Sequence, residues 1–305
     1  MPNQITHFYF GQDVYKNLNG RAKAIIDQYP HAFRVGALGP DFMFVLREIG
    51  IGNAPRYANE MQYLHMFEVF DKAGFYIKAN PSDCLTSYLL GLLCHYVSDF
   101  RGHAYINYFV EEAMPKYYPG KYQTALHPLL EAGIDEIIII EYMKLNPRLY
   151  NSGNDLKPSR YELDKISELY KNVINDIIGF DVSAKLVKKA IRYTKIFLSF
   201  ATDRTGLKKK LFNYLEDRKG VKKQMSSIIR PPYLMESFDF MNRNHLKWRK
   251  VRNEAVMTNE SFDEVMANCK EIAIKYIDNY MAYLEENKPL RKEDFTINYE
   301  GVRVY

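Results

Sequence analysis

Cysteine is scarce in this chain, and its few cysteines form neither a disulfide framework nor a metal motif. The 305 residues contain three cysteines, an odd number, at Cys84, Cys94 and Cys269. No two of them make a C-x-x-C pair, which excludes a disulfide-stapled secreted scaffold and a cysteine-based zinc finger. The start, MPNQITHFYFG, lacks the basic and apolar regions of a signal peptide. We therefore expect a cytoplasmic protein.

Long apolar runs and a large excess of one charge are also missing. The most hydrophobic stretch, residues 89–94, is far shorter than the roughly 20 residues that a membrane-spanning helix needs. The 42 basic and 37 acidic residues give a net charge of +5, which does not demand nucleic acid but favours approach to a phosphate-bearing substrate. The basic stretches at 208–210 and 218–223 are interpreted as solvated faces.

Several catalytic motifs are absent as well. The sequence has no H-E-x-x-H, no G-x-S-x-G, no P-loop and no G-x-G-x-x-G dinucleotide fingerprint. The adjacent His-Asp pair of the helical metal phosphohydrolases is missing too. Among the enzyme classes considered, metal-assisted hydrolysis remains.

The histidines are the most informative residues of the sequence. Six of the seven lie within the first 127 residues. His95, Asp99 and His103 follow one another at intervals of four, and Glu131 follows His127 at the same interval. Residues four apart on a helix share one face, with Cβ atoms about 5–6 Å apart. A single His-x3-acid pair is usually structural, but this compound pattern indicates a metal site.

The spacing also limits how many of these residues can share one ion. At about 1.5 Å per residue, His95 and His103 are separated by roughly 12 Å along the helix axis. Zinc holds its nitrogen ligands at about 2.0–2.1 Å, so the two histidines cannot bind the same ion. Asp99, midway between them, can serve either neighbourhood. The sequence therefore predicts a multinuclear site.

Helical periodicity dominates the rest of the chain, without a run of alternating residues bounded by hairpin turns. We expect an all-α protein that forms a single domain over residues 1–305, with the metal-binding half at about 1–150 and a helical scaffold at about 151–305. The predicted helices, with their capping residues where these are recognisable, are Val14–Gln28, Tyr57–Phe70, a long helix capped by Ser82 or Asp83, and helices near 159–178, 182–217 and 260–286, of which the first and last open with Ser-x-x-Glu capping boxes.

The order of the candidate ligands resembles that of the zinc-dependent phospholipase C family, including the catalytic region of glycosylphosphatidylinositol-specific phospholipase D. The resemblance begins with His7, Asp41 and His65 and continues through the His-x3-Asp-x3-His and His-x3-Glu patterns. The segment DFMNRNHLKWRKV and the helix NESFDEVMANCKEIA also resemble the tail of the bacterial members. The resemblance covers most of the chain and implies an all-helical fold with three zinc positions.

Carried over residue by residue, the resemblance implies a ligand set for each position. The first ion would be held by Asp41, His65, His95 and Asp99, the second by His103, His127 and Glu131, and the third by His7 with a bridging Asp99. Three residues separate Asp99 from His103, as in the glycosylphosphatidylinositol-specific type, whereas the secreted enzymes have five. The secreted enzymes complete the third site with an N-terminal Trp, where this chain has Met1-Pro2. We therefore expect two zinc ions and a third that is weak or partly occupied.

The function that the resemblance implies is hydrolysis of a phosphodiester or phospholipid-type substrate. A hydroxide bridging the metal ions would attack phosphorus, with Asp41 and Asp99 as the catalytic residues. Phe42, Tyr105 and Asn107 are the candidate substrate contacts. With a net charge of only +5 and no anchor, we expect small or dispersed phosphodiesters to be better substrates than intact bilayers.

Two alternatives stay open at this point. One is a single-strand nuclease or nucleotidase on the same zinc scaffold, which aromatic platforms in a basic groove would favour. The other is a non-catalytic, metal-bearing interaction protein.

Overall fold

Helices make up nearly all the regular structure of the computed structural model, which describes residues 4–48, 54–118, 123–219, 224–230, 238–286 and 288–304. The α-helices in chain order are α1 (Gln4–Asn17), α2 (Gly20–Gln28), α3 (Pro30–Ala37), α4 (Val45–Glu48), α5 (Ala54–Tyr63), α6 (Met66–Ala79), α7 (Asp83–Tyr108), α8 (Met114–Tyr117), α9 (Gln123–Ile137), α10 (Arg160–Leu169), α11 (Asn175–Ile178), α12 (Ala184–Ala201), α13 (Leu207–Lys219), α14 (Gln224–Ile228) and α15 (Phe262–Glu285). The predicted all-α class is confirmed.

Shorter elements connect these helices. The 3-10 turns are Gly39–Met43, Ser152–Asp155 and Lys292–Phe295, and π-helical turns occupy Phe109–Ala113, Ile138–Tyr142 and Tyr170–Ile174. Strands β1 (Trp248–Arg249) and β2 (Met257–Thr258) pair antiparallel. Across the described ranges, no helix is both long and apolar enough to cross a membrane.

Helix α7 lies at the centre of the fold. Its N-terminus is capped by Ser82, whose hydroxyl accepts a hydrogen bond from the Leu85 amide, as the sequence predicts. From Cys84 to Asn107 every residue of α7 is buried, which leaves its histidines and aspartate no exposed face. One large apolar cluster surrounds it, with members from Ile5 to Tyr299. The single-domain organisation itself stays a prediction.

Two glycines let α3 and α7 cross with their backbones in contact. A Cβ on Gly36 would lie 2.0 Å from the carbonyl oxygen of Tyr88, and a Cβ on Gly91 would lie 2.0 Å from that of Phe33. No larger residue fits at either position without moving backbone. This contact brings the C-terminal end of α3, with the Ala37 carbonyl, beside His95.

Three predicted helices are broken in the structure. The helix expected over 14–28 is two helices, separated at Leu18 and Asn19, and the one expected over 57–70 is interrupted at Leu64 and His65. The helix expected over 182–217 is broken between α12 and α13, because Asp203 accepts hydrogen bonds from the Gly206 and Lys209 amides. Such side-chain acceptors compete with helical hydrogen bonds.

Both predicted capping boxes are present. The Ser159 hydroxyl accepts from the Glu162 amide while the Glu162 carboxylate accepts from the Ser159 amide, and Ser261 and Glu264 repeat the arrangement at the start of α15. Beyond α15, the final segment wraps back onto α7, where the Tyr299 carbonyl reaches His103.

Candidate metal centre

Two groups of side chains with the chemistry of metal ligands lie along α7. His7, His95 and Asp99 form one group, and His103, His127 and Glu131 form the other; within each group the ligand atoms lie within 4.8 Å of one another. We call them the first and second clusters. His95 and His103 fall in different clusters, which is the separation that the helical rise along α7 predicts.

The first cluster joins α1 to α7. Asp99 lies between two histidines, with Oδ1 3.2 Å from His7 Nε2 and Oδ2 3.0 Å from His95 Nε2. The two imidazole rings lie 4.4 Å apart, centroid to centroid. The resemblance assigns His7 and His95 to different ions, whereas the structure places them in one cluster around Asp99. The N-terminal residues 1–3, which bear on a third site, lie outside the described residues.

The second cluster joins α7 to α9. His127 Nε2 lies 2.9 Å from Glu131 Oε1, and His103 Nε2 lies 3.9 Å from the same oxygen. Glu131 is buried, whereas the side chain of His127 retains 26% of its exposure. This cluster is therefore the one closer to solvent.

Three histidines have their ring orientation set by a hydrogen bond at Nδ1. His95 Nδ1 donates to the Ala37 carbonyl at 3.2 Å, and His103 Nδ1 donates to the Tyr299 carbonyl at 2.7 Å. A carbonyl can only accept, so each Nδ1 carries a proton, and in the neutral form of the ring the lone pair is on Nε2. Backbone carbonyls that orient a histidine in this way are typical of metal sites.

His7 is oriented by a hydroxyl instead of a carbonyl. Its Nδ1 lies 2.8 Å from Ser98 Oγ, and Ser98 donates its own proton to the His95 carbonyl at 3.0 Å. Since the hydroxyl proton is already donated, Ser98 Oγ accepts from His7 Nδ1–H. In the neutral tautomer that this bond selects, the lone pair of His7 Nε2 is directed at Asp99.

Several buried atoms of the site have no hydrogen-bond partner. They are His7 Nε2, His95 Nε2, Asp41 Oδ2, Asp99 Oδ2 and Glu131 Oε2. Leaving a polar atom buried and unpaired costs roughly 1–3 kcal/mol, and more for a charged one. Imidazole nitrogens and carboxylate oxygens are also the donor set that suits zinc. The residues present therefore fit a metal ion in each cluster.

The electrostatics of the clusters favour positive charge. Burial alone would raise the pKa of Asp99, but His95, His103 and His7 outweigh it and hold the pKa well below its usual range. Burial opposes the charged form of His103, yet the carboxylates of Asp99, Glu300 and Glu131 raise its pKa to about 9. The same carboxylates would stabilise a divalent cation, which competes with protons for these ligands.

Asp41 lies at the edge of the first cluster and outside its three-residue core. Its Oδ1 is 4.0 Å from His95 Nε2 and accepts a hydrogen bond from Gln62 Nε2 at 2.7 Å. Burial raises the pKa of Asp41, with His95 opposing the shift. The preceding turn is equally tight, because a Cβ on Gly39 would lie 2.0 Å from the His95 ring and Gly39 has a φ of +58°.

His65 belongs to neither cluster. It is half-buried at the N-cap of α6, three residues beyond the Gln62 that binds Asp41. Its assignment as a zinc ligand, made from the resemblance, stays a prediction.

All three candidate substrate contacts are buried in the structure. Phe42 is fully buried beside the Tyr170 ring, and Tyr105 is fully buried with its hydroxyl donating to the Phe240 carbonyl. Both pack in the core, and their role as substrate contacts stays a prediction. Asn107 is 7% exposed and donates to Glu300 at 3.2 Å.

Sequence reasoning missed most of the residues that support the ligands. Asp135, four residues after Glu131, accepts hydrogen bonds from the Thr6 amide and hydroxyl at 2.9 and 2.7 Å. These bonds hold α1 in place at Thr6, the residue that precedes His7. Ser98 is next to Asp99 in the sequence, and this position beside a candidate ligand is a signal that sequence reasoning can use. Nothing in the sequence marks the Ala37 and Tyr299 carbonyls.

A small cavity adjoins both clusters. Its polar lining includes His7, Asp99, His103 and Glu131, and its apolar lining consists of Ile106, Ile134, Phe262 and Met266. Gly102 borders this space, and a Cβ there would meet no atom within 4 Å.

Comparison with known proteins yields one match. The sequence model of a family described as zinc dependent phospholipase C matches residues 6–184. No curated protein and no solved structure matches the chain.

Proposed function

Because the chain belongs to the zinc-dependent phospholipase C family, we propose that it is a zinc-dependent phosphodiester hydrolase of the phospholipase C type. The observation that carries the proposal is the pair of buried clusters on α7, whose unpartnered nitrogen and oxygen atoms converge beside one cavity. We propose two zinc ions, one in each cluster. A cytoplasmic location is part of the proposal and is supported by the three buried free cysteines.

Each residue of the first cluster has a separate task. His7 and His95 offer Nε2, because their Nδ1 hydrogen bonds select the neutral tautomer with its lone pair on Nε2, and Asp99 supplies the negative charge between them. Bound zinc would polarise the phosphoryl group and make water more acidic, so that no serine or cysteine nucleophile is needed. Asp41, held by Gln62 through Oδ1, offers Oδ2 as a further ligand or as a proton acceptor.

The cavity beside the clusters supports a substrate with both polar and apolar parts. Its lining combines ligand side chains, beside which a phosphodiester would lie, with the apolar side chains of Ile106, Ile134, Phe262 and Met266. The open space at Gly102 lies between Asp99 and Ile106 on the same helix. This pairing of surfaces suits a phospholipid-type or other partly apolar phosphodiester better than a fully polar one.

The experiment is hydrolysis of a chromogenic phosphodiester by zinc-reconstituted protein. We expect turnover that a chelator abolishes and that zinc restores. His95→Ala should abolish it, while His245→Ala, an exposed histidine outside both clusters, should not.

Three outcomes would change the proposal. Faster turnover of single-stranded nucleic acid would favour the nuclease alternative. No turnover of any phosphodiester by fully zinc-loaded protein would favour the non-catalytic alternative. Full activity of His95→Ala would contradict the assignment of the site.

A further inference from the structure

The apolar stripe of α13 faces solvent instead of the core. Leu207, Leu211, Tyr214 and Leu215 follow the i, i+4, i+7, i+8 spacing of one helix face. Their side chains are 66%, 55%, 59% and 40% exposed. A helix with this pattern normally buries the stripe, so the orientation of α13 requires an explanation.

The inward side of α13 is polar and firmly held. Lys209 is 4% exposed and donates from Nζ to the Ile229 carbonyl at 2.7 Å. Glu216 is 7% exposed and accepts from the Met225 and Ser226 amides at 2.9 and 3.2 Å. Turning the apolar stripe inward would break these bonds of buried charged groups, which is costly. The outward orientation is therefore built into the fold.

The exposed apolar surface continues from α13 onto α12. Ile196 is 62% exposed and Phe200 is 37% exposed. The Phe200 ring contacts the Phe212 ring of α13 edge-on at 5.6 Å, so the two helices present one continuous surface. We call it the α12–α13 face, defined by Ile196, Phe200, Leu207, Leu211, Tyr214 and Leu215.

Basic residues are concentrated on the same two helices. Together α12 and α13 contain ten lysines and arginines and two acidic residues, a net charge of +8. The whole chain has a net charge of +5, so everything outside these helices is net negative. Helix α12 has no acidic residue at all. The small net charge of the whole chain therefore averages over a strongly basic region. From the sequence alone, the basic stretches of this region are interpreted as solvated faces.

We propose that the α12–α13 face docks on an anionic lipid surface. An exposed stripe of leucine and aromatic side chains flanked by lysines and arginines matches an interfacial amphipathic helix, which inserts its apolar side and pairs its charges with lipid headgroups. A second copy of the chain is a poorer occupant, since it would bring two pairs of strongly basic helices together. Nucleic acid would use the charge but leave the leucines unburied. All six residues that define the α12–α13 face lie beyond residue 184, where the family match ends.

The test is co-sedimentation of the full chain with vesicles. Vesicles of phosphatidylcholine with phosphatidylserine should bind it, and vesicles of phosphatidylcholine alone should bind it at least about tenfold more weakly. Leu211→Gln with Leu215→Gln should reduce binding about tenfold or more. Lys195→Gln with Lys210→Gln should reduce it about fivefold per charge. The matched controls are Phe75→Gln and Lys72→Gln, two exposed residues of α6 that should leave binding unchanged.

Circular dichroism and thermal melting would check that the variants are folded, which is expected because the changed side chains are exposed. Three results would overturn the proposal: binding no stronger than to neutral vesicles, binding unaffected by either double variant, or a concentration-dependent dimer that the leucine variant abolishes. Tighter binding to an oligonucleotide than to anionic vesicles would also overturn it. None of these readouts requires phosphodiesterase activity, so the result is independent of the proposed function.

Discussion

Replacing Asp99 by asparagine is the sharpest test of the two clusters. Asp99 lies 3.2 Å from His7 Nε2 and 3.0 Å from His95 Nε2, and it is 2% exposed. Asparagine keeps the shape of the side chain but removes the one carboxylate of the first cluster. A zinc ion there would face two neutral imidazoles and an amide.

The expected loss of zinc affinity can be estimated from the burial of the site. Removing the anion that compensates a buried cation costs about 3–5 kcal/mol. With tenfold in affinity for each 1.4 kcal/mol, zinc binding to the first cluster should weaken about 100- to 5,000-fold. The second cluster keeps His103, His127 and Glu131, so the zinc content should fall from two ions per chain to one.

The assay is elemental analysis after dialysis, together with competition against a chromophoric chelator. Asp83→Asn is the matched control, because it makes the same change on the same helix at a more exposed site where Asp83 pairs with Arg21. The control should retain two ions. Two tightly bound ions in Asp99→Asn would refute the reasoning, and loss of metal from the control would show that the effect is not specific.

Three further predictions follow from the packing and charges. Gly39→Ala places a Cβ 2.0 Å from the His95 ring at a φ of +58°, so it should destabilise the chain by about 2 kcal/mol or more and weaken zinc binding; an unchanged denaturation midpoint would contradict this. Burial raises the pKa of Asp135 to about 7, above its unfolded value. The wild type should therefore lose stability as the pH rises from about 4 to about 7, by up to about 4 kcal/mol relative to Asp135→Asn. Parallel stability profiles of the two proteins from pH 4 to 8 would rule this out. His65→Ala should weaken zinc binding less than His95→Ala does, because His65 lies in neither cluster; an equal loss in zinc titrations would restore His65 as a full ligand.

Local sequence determined the features that depend on neighbours within a turn or two. The four-residue intervals place His95, Asp99 and His103 on one face of α7 whatever surrounds them, and the rise per residue puts the two histidines in different clusters. The caps at Ser82, Ser159 and Ser261 were predictable for the same reason, since each bonds an amide three residues away.

Only the tertiary structure decided what those residues meet. His7 joins His95 because Asp135, 129 residues from Thr6, anchors α1 beside α7. The carbonyls that orient His95 and His103 come from 58 and 196 residues away, and every residue type has a carbonyl, so no sequence pattern could mark them. The outward face of α13 has the same origin: its spacing predicts an amphipathic helix, but the bonds that hold Lys209 and Glu216 inward decide which side meets solvent. Helical geometry depends on residues within a few positions of one another, so the local sequence determines it. Which helix face is buried depends instead on contacts between segments that are distant in the sequence.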